Sequence, residues 1–515
     1  MAAEPEQVGN RPMPVAGGPP AERVLAAALV GLTVLALTAT IVVAWVHADD
    51  RYRVDHVGGS RIAMAWYVNE GTLYPQLSDD GFYGGTRWMP LPVLLHAGAA
   101  RVTGEYLVSG KVLAYMTMAT LILVTFLVIR RLGCPWPLAA ALASLLLLTQ
   151  AGFGLTMSLR ADALPVLLQV SSVWLATSRP HRSATPVAMI VAALLAALAL
   201  AAKLSAVWAP IAVVLWLFRR NRRSVSWFVG GYVVWAVGLL GLFSALSGGR
   251  MLSNVLGLAG AGLAEGGLLR APYRLVLLAI DHATPIWFLM PAAAVAGWYA
   301  FRGRRDEEWL LALLAASAIL VVVLADVGAD WNHLIDIAVL VLIVVGGLVG
   351  RTLPSLPYER VAGTAVVLMV LWVGVTGLVT VVLPEARHVV RLADPTTDPQ
   401  LDPQPLRGLA SSETPILSED PYVPVSLGQR PVLLDPFMVE RIVEVDREIQ
   451  AELLRRIDAK EFELVVLLRR VENRDIAWWW EDFHLGPEIA AEIRDSYDYQ
   501  LSRGPYHIYA PAEAS

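Results

Sequence analysis

Cysteine is almost missing from this 515-residue chain: Cys134 is alone, so no intrachain disulfide and no cysteine-built metal cluster can form. There is no Asn-x-Ser/Thr acceptor for N-glycosylation. Charge is also scarce, at 17% of residues, and the formal net charge is only −5. A chain with no basic excess lacks the electrostatic footprint of a nucleic-acid binder. Apolar residues are abundant instead. They make up 56% of the chain and give a mean hydropathy of +0.55, which excludes an ordinary pair of soluble domains and places the chain in the membrane class.

The charges are unevenly placed. They are confined to short clusters from Val24 to Leu383 and become dense from Glu385 onward. This division predicts a disordered, Pro/Gly-rich cytoplasmic N-terminus (1–22), a transmembrane domain (23–383) with a large first outer loop (48–106), a linker (384–410) and a small α/β domain (411–515). The first apolar run, Val24 to Val46, would make a helix of roughly 35 Å. That exceeds the bilayer core and is too long for a cleaved signal peptide, so it reads as an anchor.

Further apolar stretches lie at 107–129, 135–153, 161–177, 187–201, 204–218, 225–246, 285–301, 308–325, 333–350 and 361–383, which together predict about 11 transmembrane helices. Arg130-Arg131, Arg179/Arg182, Arg219–Arg223, Arg302–Arg305 and Arg351/Arg360 fall at alternate loops. By the positive-inside rule those loops and the N-terminus are cytoplasmic, and the tail is extracytoplasmic. An outer domain without disulfides or sequons fits a bacterial cell membrane best. The stretch 187–218 is too long for one span yet has basic clusters at both ends, which predicts a hairpin of two short helices turning at Ala202-Lys203.

The first outer loop has helical spacing over Val57–Asn69 and Leu91–Val102, read as two amphipathic helices lying in the interface. Carboxylates gather there as Asp49, Asp50, Asp55, Asp79 and Asp80. A carboxylate at a membrane surface can act as a general base, hold a divalent metal, or merely cap a helix. Other polar groups sit at the outer ends of later spans: Arg160 and Asp162, Lys203, and the set Asn332, His333 and Asp336 on one helical turn. Ionisable groups at such depth are costly and mark functional sites or local pairing. A cluster of both signs at one membrane face can bind an anionic lipid headgroup and deprotonate an acceptor. These residues alone name no reaction, and leave open a multi-pass transporter, a lipid flippase or a non-catalytic scaffold.

Four passages resemble the GT-C superfamily of membrane glycosyltransferases, whose members include protein O-mannosyltransferases and aminoarabinose transferases. They are Asp55-x5-Arg61-x-Ala63 … Gly71-Thr-Leu-Tyr74-Pro75, then Met89-Pro-Leu-Pro92 with Val108-Ser-Gly-Lys111, then Arg160-Ala-Asp162 with Lys203-Leu-Ser205, and Asn332-His-Leu-Ile-Asp336. The resemblance implies a GT-C-like helical membrane fold with a soluble tail. It also implies transfer of a sugar from a polyprenyl-phosphate donor to an acceptor hydroxyl outside the cytoplasm, with inversion. Asp55 would be the catalytic base, and Arg160, Asp162, Lys203, Asn332, His333 and Asp336 would contact substrate. Asp49, Asp50 and Asp80 are secondary acidic candidates. No cofactor is certain, and a divalent metal is compatible. Many relatives have two adjacent acidic residues where this chain has Asp55-His56.

In the tail, Pro415–Asp420, Phe462–Leu468 and His507–Ala510 read as strands, with a helix over Met438–Ile457 between them. Trp478-Trp479-Trp480 could stack on sugar, but reads first as core or interface packing.

Overall fold

The computed structural model describes residues 20–178, 185–259, 266–282, 284–303, 307–326, 328–355, 359–392, 414–445, 447–481 and 484–513. The expected disordered N-terminus and most of the expected linker lie outside them. Every apolar stretch read from the sequence is helical. The first is α1 (Pro20–Val46), followed in the outer loop by α2 (His56–Asn69) and α3 (Pro90–Thr103) and then by α4 (Tyr106–Arg131). Next come α5 (Trp136–Ser144) and α6 (Gln150–Met157), a broken pair bent by 70° near Thr149, whose side chain caps α6. α7 (Ala163–Thr177), α8 (Pro186–Ala202), α9 (Trp208–Arg220) and α10 (Arg222–Leu246) complete the first half.

The second half holds α11 (Arg250–Ala259), α12 (Gly267–His282), α13 (Thr284–Trp287), α14 (Met290–Gly303), α15 (Glu307–Val323), α16 (Leu334–Gly347), α17 (Glu359–Gly377) and α18 (Leu383–Leu392). Among the described residues, five helical segments are long and apolar enough to cross a membrane, or six with the bent pair counted as one. The predicted hairpin is present: α8 ends at Lys203 in extended backbone and α9 returns from Trp208. At 1.5 Å per residue its arms are about 26 and 20 Å long, shorter than the ~30 Å apolar core.

The tail is built from β1 (Ile416–Ser418), α19 (Tyr422–Ser426), α20 (Pro436–Val445), α21 (Arg447–Asp458), β2 (Leu464–Leu467), α22 (Ala477–Glu481), α23 (Pro487–Ser496), β3 (Tyr497–Arg503) and β4 (Tyr506–Pro511). The sheet order is β1-β2-β4-β3, with β1 parallel to β2 and β4 antiparallel to both its neighbours. Phe462, Val465, Leu467, Ile489, Ile493 and Tyr509 fill its core. Of the three consecutive tryptophans, Trp480 joins this core and Trp478 is exposed. β3 is an addition to the strands read from the sequence.

The outer loop differs from expectation. α2 is buried almost all round, from His56 through Ala65, because the tail covers the face that an interfacial helix would show to water. Gly58-Gly59 permits this approach: a Cβ at Gly59 would collide with the Asp420 carboxylate of the tail. Below α2, the fully buried Asp420 pairs with the equally buried Arg51, and the Tyr506 hydroxyl donates to the same carboxylate at 2.8 Å. Tyr83 exchanges backbone hydrogen bonds with the tail, its N–H to Val432 and its carbonyl from Leu434. Arg430 adds an ion pair to Asp79 at 2.6 Å.

Asp420→Ala strands the Arg51 guanidinium in a buried site, with an expected loss of about 3–5 kcal/mol. Denaturant unfolding of the solubilised chain measures it. Replacing both partners (Arg51→Met with Asp420→Leu) is expected to recover most of the loss, since only an uncompensated charge is severely costly.

Candidate functional site

Asp55 caps the N-terminus of α2, its Oδ1 accepting from the Gly58 N–H at 3.0 Å. This is a common use of an aspartate, since a helix start has spare N–H donors. Its second oxygen is taken by Arg160, which donates from Nε at 3.0 Å and Nη2 at 2.5 Å. Burial pushes the Asp55 carboxyl up, but the Arg160 charge, with help from His56 and the Gly58 hydrogen bond, outweighs it and holds the group at about 2. About a third of the side chain, 34%, is still exposed.

Arg160 lies in the extended link before α7, and its Nη1 reaches Asp330 Oδ2 at 3.6 Å while its plane covers the Trp331 ring at 5.1 Å. It thereby ties the first outer loop to the link before α16. Asp162, two residues on, receives Lys203 Nζ at 2.5 Å, which seats the turn of the α8–α9 hairpin. Arg87 pairs with Asp326 at 2.5 Å.

These groups surround one cavity of ≈ 690 Å³. Its polar side carries Arg61, Arg87, Arg160, Asp162, Lys203, Asn332, His333, Asp326, Asp330 and, from the tail, Asp435. Its apolar side is Ile211 on α9 with Ala315, Ala318, Ile319, Val322 and Val323 on α15, of which Val322 and Ile211 are exposed on the outer surface of the bundle. Arg61 is unlike the other cations. It is 8% exposed, no carboxylate lies in ion-pair range among the described residues, its Nε has no hydrogen-bond partner, and its plane rests on Trp88 at 4.9 Å. A buried guanidinium left this way is costly unless something else answers it.

Of the residues singled out in the sequence, Arg160, Asp162, Lys203, Asn332 and His333 line the cavity, and Asp55 joins it through Arg160. Asp336 sits behind the wall, where it accepts from Trp208 Nε1 at 2.6 Å. Asp50 serves the exit of α1 instead, pairing with His47 at 2.5 Å and with the buried Lys111 at 3.3 Å. Asp49 and Asp80 are exposed and away from the cavity. The sequence reading assigned no role to Arg61, Arg87, His56 or Asp435. The resemblance had passed through Arg61, but an arginine on an outer helix reads ordinarily as a snorkelling surface group.

No protein-family model and no curated protein matches the sequence. Solved structures do match. The aminoarabinose transferase ArnT of Cupriavidus metallidurans, solved bound to undecaprenyl phosphate, superposes over 94% of this chain and 98% of its own, with a TM-score of 0.61 at 13% identity. The oligosaccharyltransferase AglB of Archaeoglobus fulgidus, in complex with an inhibitory peptide and a dolichol-phosphate, superposes over 96% of this chain and 75% of its own, with a TM-score of 0.52 at 11% identity. The chain has the GT-C fold. An oligosaccharyltransferase of Archaeoglobus fulgidus has also been solved in complex with Zn and sulfate, at a TM-score of 0.50, 14% identity and coverage of 94% and 73%. In the present chain, no three His, Cys, Asp or Glu side chains among the described residues converge on one point. With Arg160 and Gly58 already on the two oxygens of Asp55, this arrangement does not fit a metal at that carboxylate.

Arg160→Met removes the main charge that depresses Asp55 and leaves only the smaller effects of His56 and the Gly58 N–H against burial, so the Asp55 pKa is expected to rise from about 2 towards the usual carboxylate range. A folded-state pKa below the unfolded value stabilises above the unfolded pKa, and that contribution is lost as pH falls towards 2. The wild type should therefore lose it between about pH 4 and 2. The variant should lack this acid limb, as acid-unfolding curves would record.

Proposed function

We propose that this chain transfers a sugar from a polyprenyl-phosphate-linked donor to an acceptor hydroxyl at the extracytoplasmic face of a bacterial cell membrane. The supporting topology is the one read from the sequence, with about 11 spans, a cytoplasmic N-terminus and both the first loop and the tail outside. The observation that carries the reading is the cavity, which has an unpaired buried cation, Arg61, on one side and an exposed apolar wall of α9 and α15 on the other. A lipid phosphate has both complements: a charged head for Arg61 and an alkyl chain for the wall. ArnT and AglB, which share the fold, have been solved with undecaprenyl phosphate and dolichol-phosphate.

In this reading the acceptor oxygen attacks the anomeric carbon and the bond from that carbon to the phosphate oxygen breaks. The acceptor proton passes to Asp55, and the configuration inverts. The polyprenyl phosphate leaves with a further negative charge, which Arg61, Lys203 and Arg160 stabilise. Arg160 couples the two ends of the reaction. While it lies on Asp55 that carboxylate is a weak base, and a phosphate bound in the cavity competes for the same guanidinium. Donor binding thereby raises the basicity of Asp55 when a base is needed. The proposed site residues are Asp55 as base, with Arg61, Arg160, Asp162, Lys203, Asn332 and His333 around the donor.

Asp55→Asn is expected to lower kcat by roughly 10²- to 10⁴-fold with donor binding retained. The assay is transfer from polyprenyl-phosphate sugars in proteoliposomes. Wild-type turnover in Asp55→Asn removes Asp55 as the base, and directional lipid movement without transfer in the wild type would make the chain a flippase. Arg61→Gln should weaken binding of undecaprenyl phosphate by about 1.5–3 kcal/mol, the value of a hydrogen bond to a charged group.

A further inference from the structure

Asp435 belongs to the C-terminal domain but lines the cavity of the membrane domain. It is 3% exposed and forms no ion pair among the described residues. The donors that face its carboxylate are the Thr86 hydroxyl, at a long 3.4 Å, and the Trp88 indole N–H. A buried carboxylate with so few donors is unfavourable unless a ligand supplies them, because its two oxygens can accept about four hydrogen bonds. Burial pushes its pKa up to about 6, against the opposing charges of Arg87 and His484.

The cavity is thus polarised. The charges acting on Arg61 are Asp162, Arg160 and Asp55, whereas those acting on Asp435 are Arg87 and His484. An unanswered cation at one pole accepts an anion. An unanswered carboxylate at the other accepts hydroxyl or N–H donors. Beside Asp435, Phe437 also faces the cavity, and its ring holds the Arg87 guanidinium at 5.2 Å. A carboxylate next to an aromatic ring suits a polyol with an apolar C–H face.

We propose that Asp435 is a specificity-determining residue: the C-terminal domain supplies the carboxylate that accepts hydrogen bonds from the hydroxyls of the sugar carried on the lipid phosphate. This rests on the reading of the cavity as a polyprenyl-phosphate sugar site. It makes the tail a wall of the reaction chamber, not an appendage. A buried group built to hydrogen-bond a hydroxyl rejects ligands without it, since it is then left unpaired.

The test is binding to the full chain in nanodiscs, with undecaprenyl phosphate as one probe and its glucosyl, mannosyl and arabinosyl esters as the others. The wild type should bind at least one ester about tenfold or more tightly than the bare phosphate, as one good hydrogen-bonded contact to a charged group supplies. Asp435→Asn should lose that margin while its affinity for the bare phosphate stays within about twofold, below the effect of one lost hydrogen bond. A margin that survives in Asp435→Asn overturns the proposal, as does a wild type with no margin for any of the three sugars. Failure of the wild type to bind even the bare phosphate strikes the parent reading instead. Removing an unpaired buried charge should leave the thermal midpoint unchanged or higher. Asp435→Ser carries the same test should the asparagine variant not fold.

Discussion

Arg160 is the point on which the outer half of the molecule depends. Its guanidinium joins the cap of α2, the link before α7 and the link before α16, three segments separated by more than 100 residues at each step. Without it the half-buried Asp55 carboxylate would face the bundle with no counter-charge, and Asp330 would lose its ion-pair partner in the same stroke. Burying charge near a membrane is tolerable only when each group is answered. Arg160–Asp55, Lys203–Asp162, Arg87–Asp326 and Arg51–Asp420 all obey this rule. Each pair joins elements far apart in the chain. The electrostatics that make the site tolerable therefore also assemble it.

Against that background the two exceptions carry the functional content. Arg61 and Asp435 are as buried as the paired groups but have no opposite charge of their own. They line the same cavity without an ion pair between them, and the Trp88 indole lies beside both. Such a separation costs folding stability and is sensible where a ligand with an anionic end and a hydroxylic end completes both.

The helices were legible because a membrane imposes a simple code of apolar length, and the Lys203 hairpin was legible because basic clusters bracket a stretch too long for one span. Asp55, Arg160, Asp162 and Lys203 stood out as charges at apolar boundaries. Arg61, Arg87 and Asp435 did not, since none of them stands at the end of a membrane-length apolar run and only tertiary packing brings them to the cavity. The same cause hid the nature of α2. Its local pattern is that of an interfacial helix, but the tail that covers it starts some 350 residues later, beyond the reach of any local periodicity. β3 is a different kind of omission. Tyr497, Tyr499 and Leu501 alternate with polar residues ahead of the turn at Gly504, so a period-two signal was present but short. α11 and α12 escaped notice because strongly amphipathic, short helices raise no hydropathy peak.

The short α8–α9 hairpin gives these pieces a common direction. An arm of about 20 Å cannot take its turn far beyond the lipid headgroups. Lys203 is therefore held near the level where a lipid phosphate rides, and Asp162 fixes it there. α15 packs alongside α9, so the apolar wall below the turn runs down the flank of the bundle towards the alkyl chains. A lipid moving in the outer leaflet would then enter tail-first along α9 and α15 and meet the cations last. Arg160 is among those cations and also holds Asp55, so in the proposed reaction arrival of the phosphate and release of the base are one event. The proposed reaction then keeps the carboxylate acidic while the chamber is empty and makes it basic only beside a bound donor.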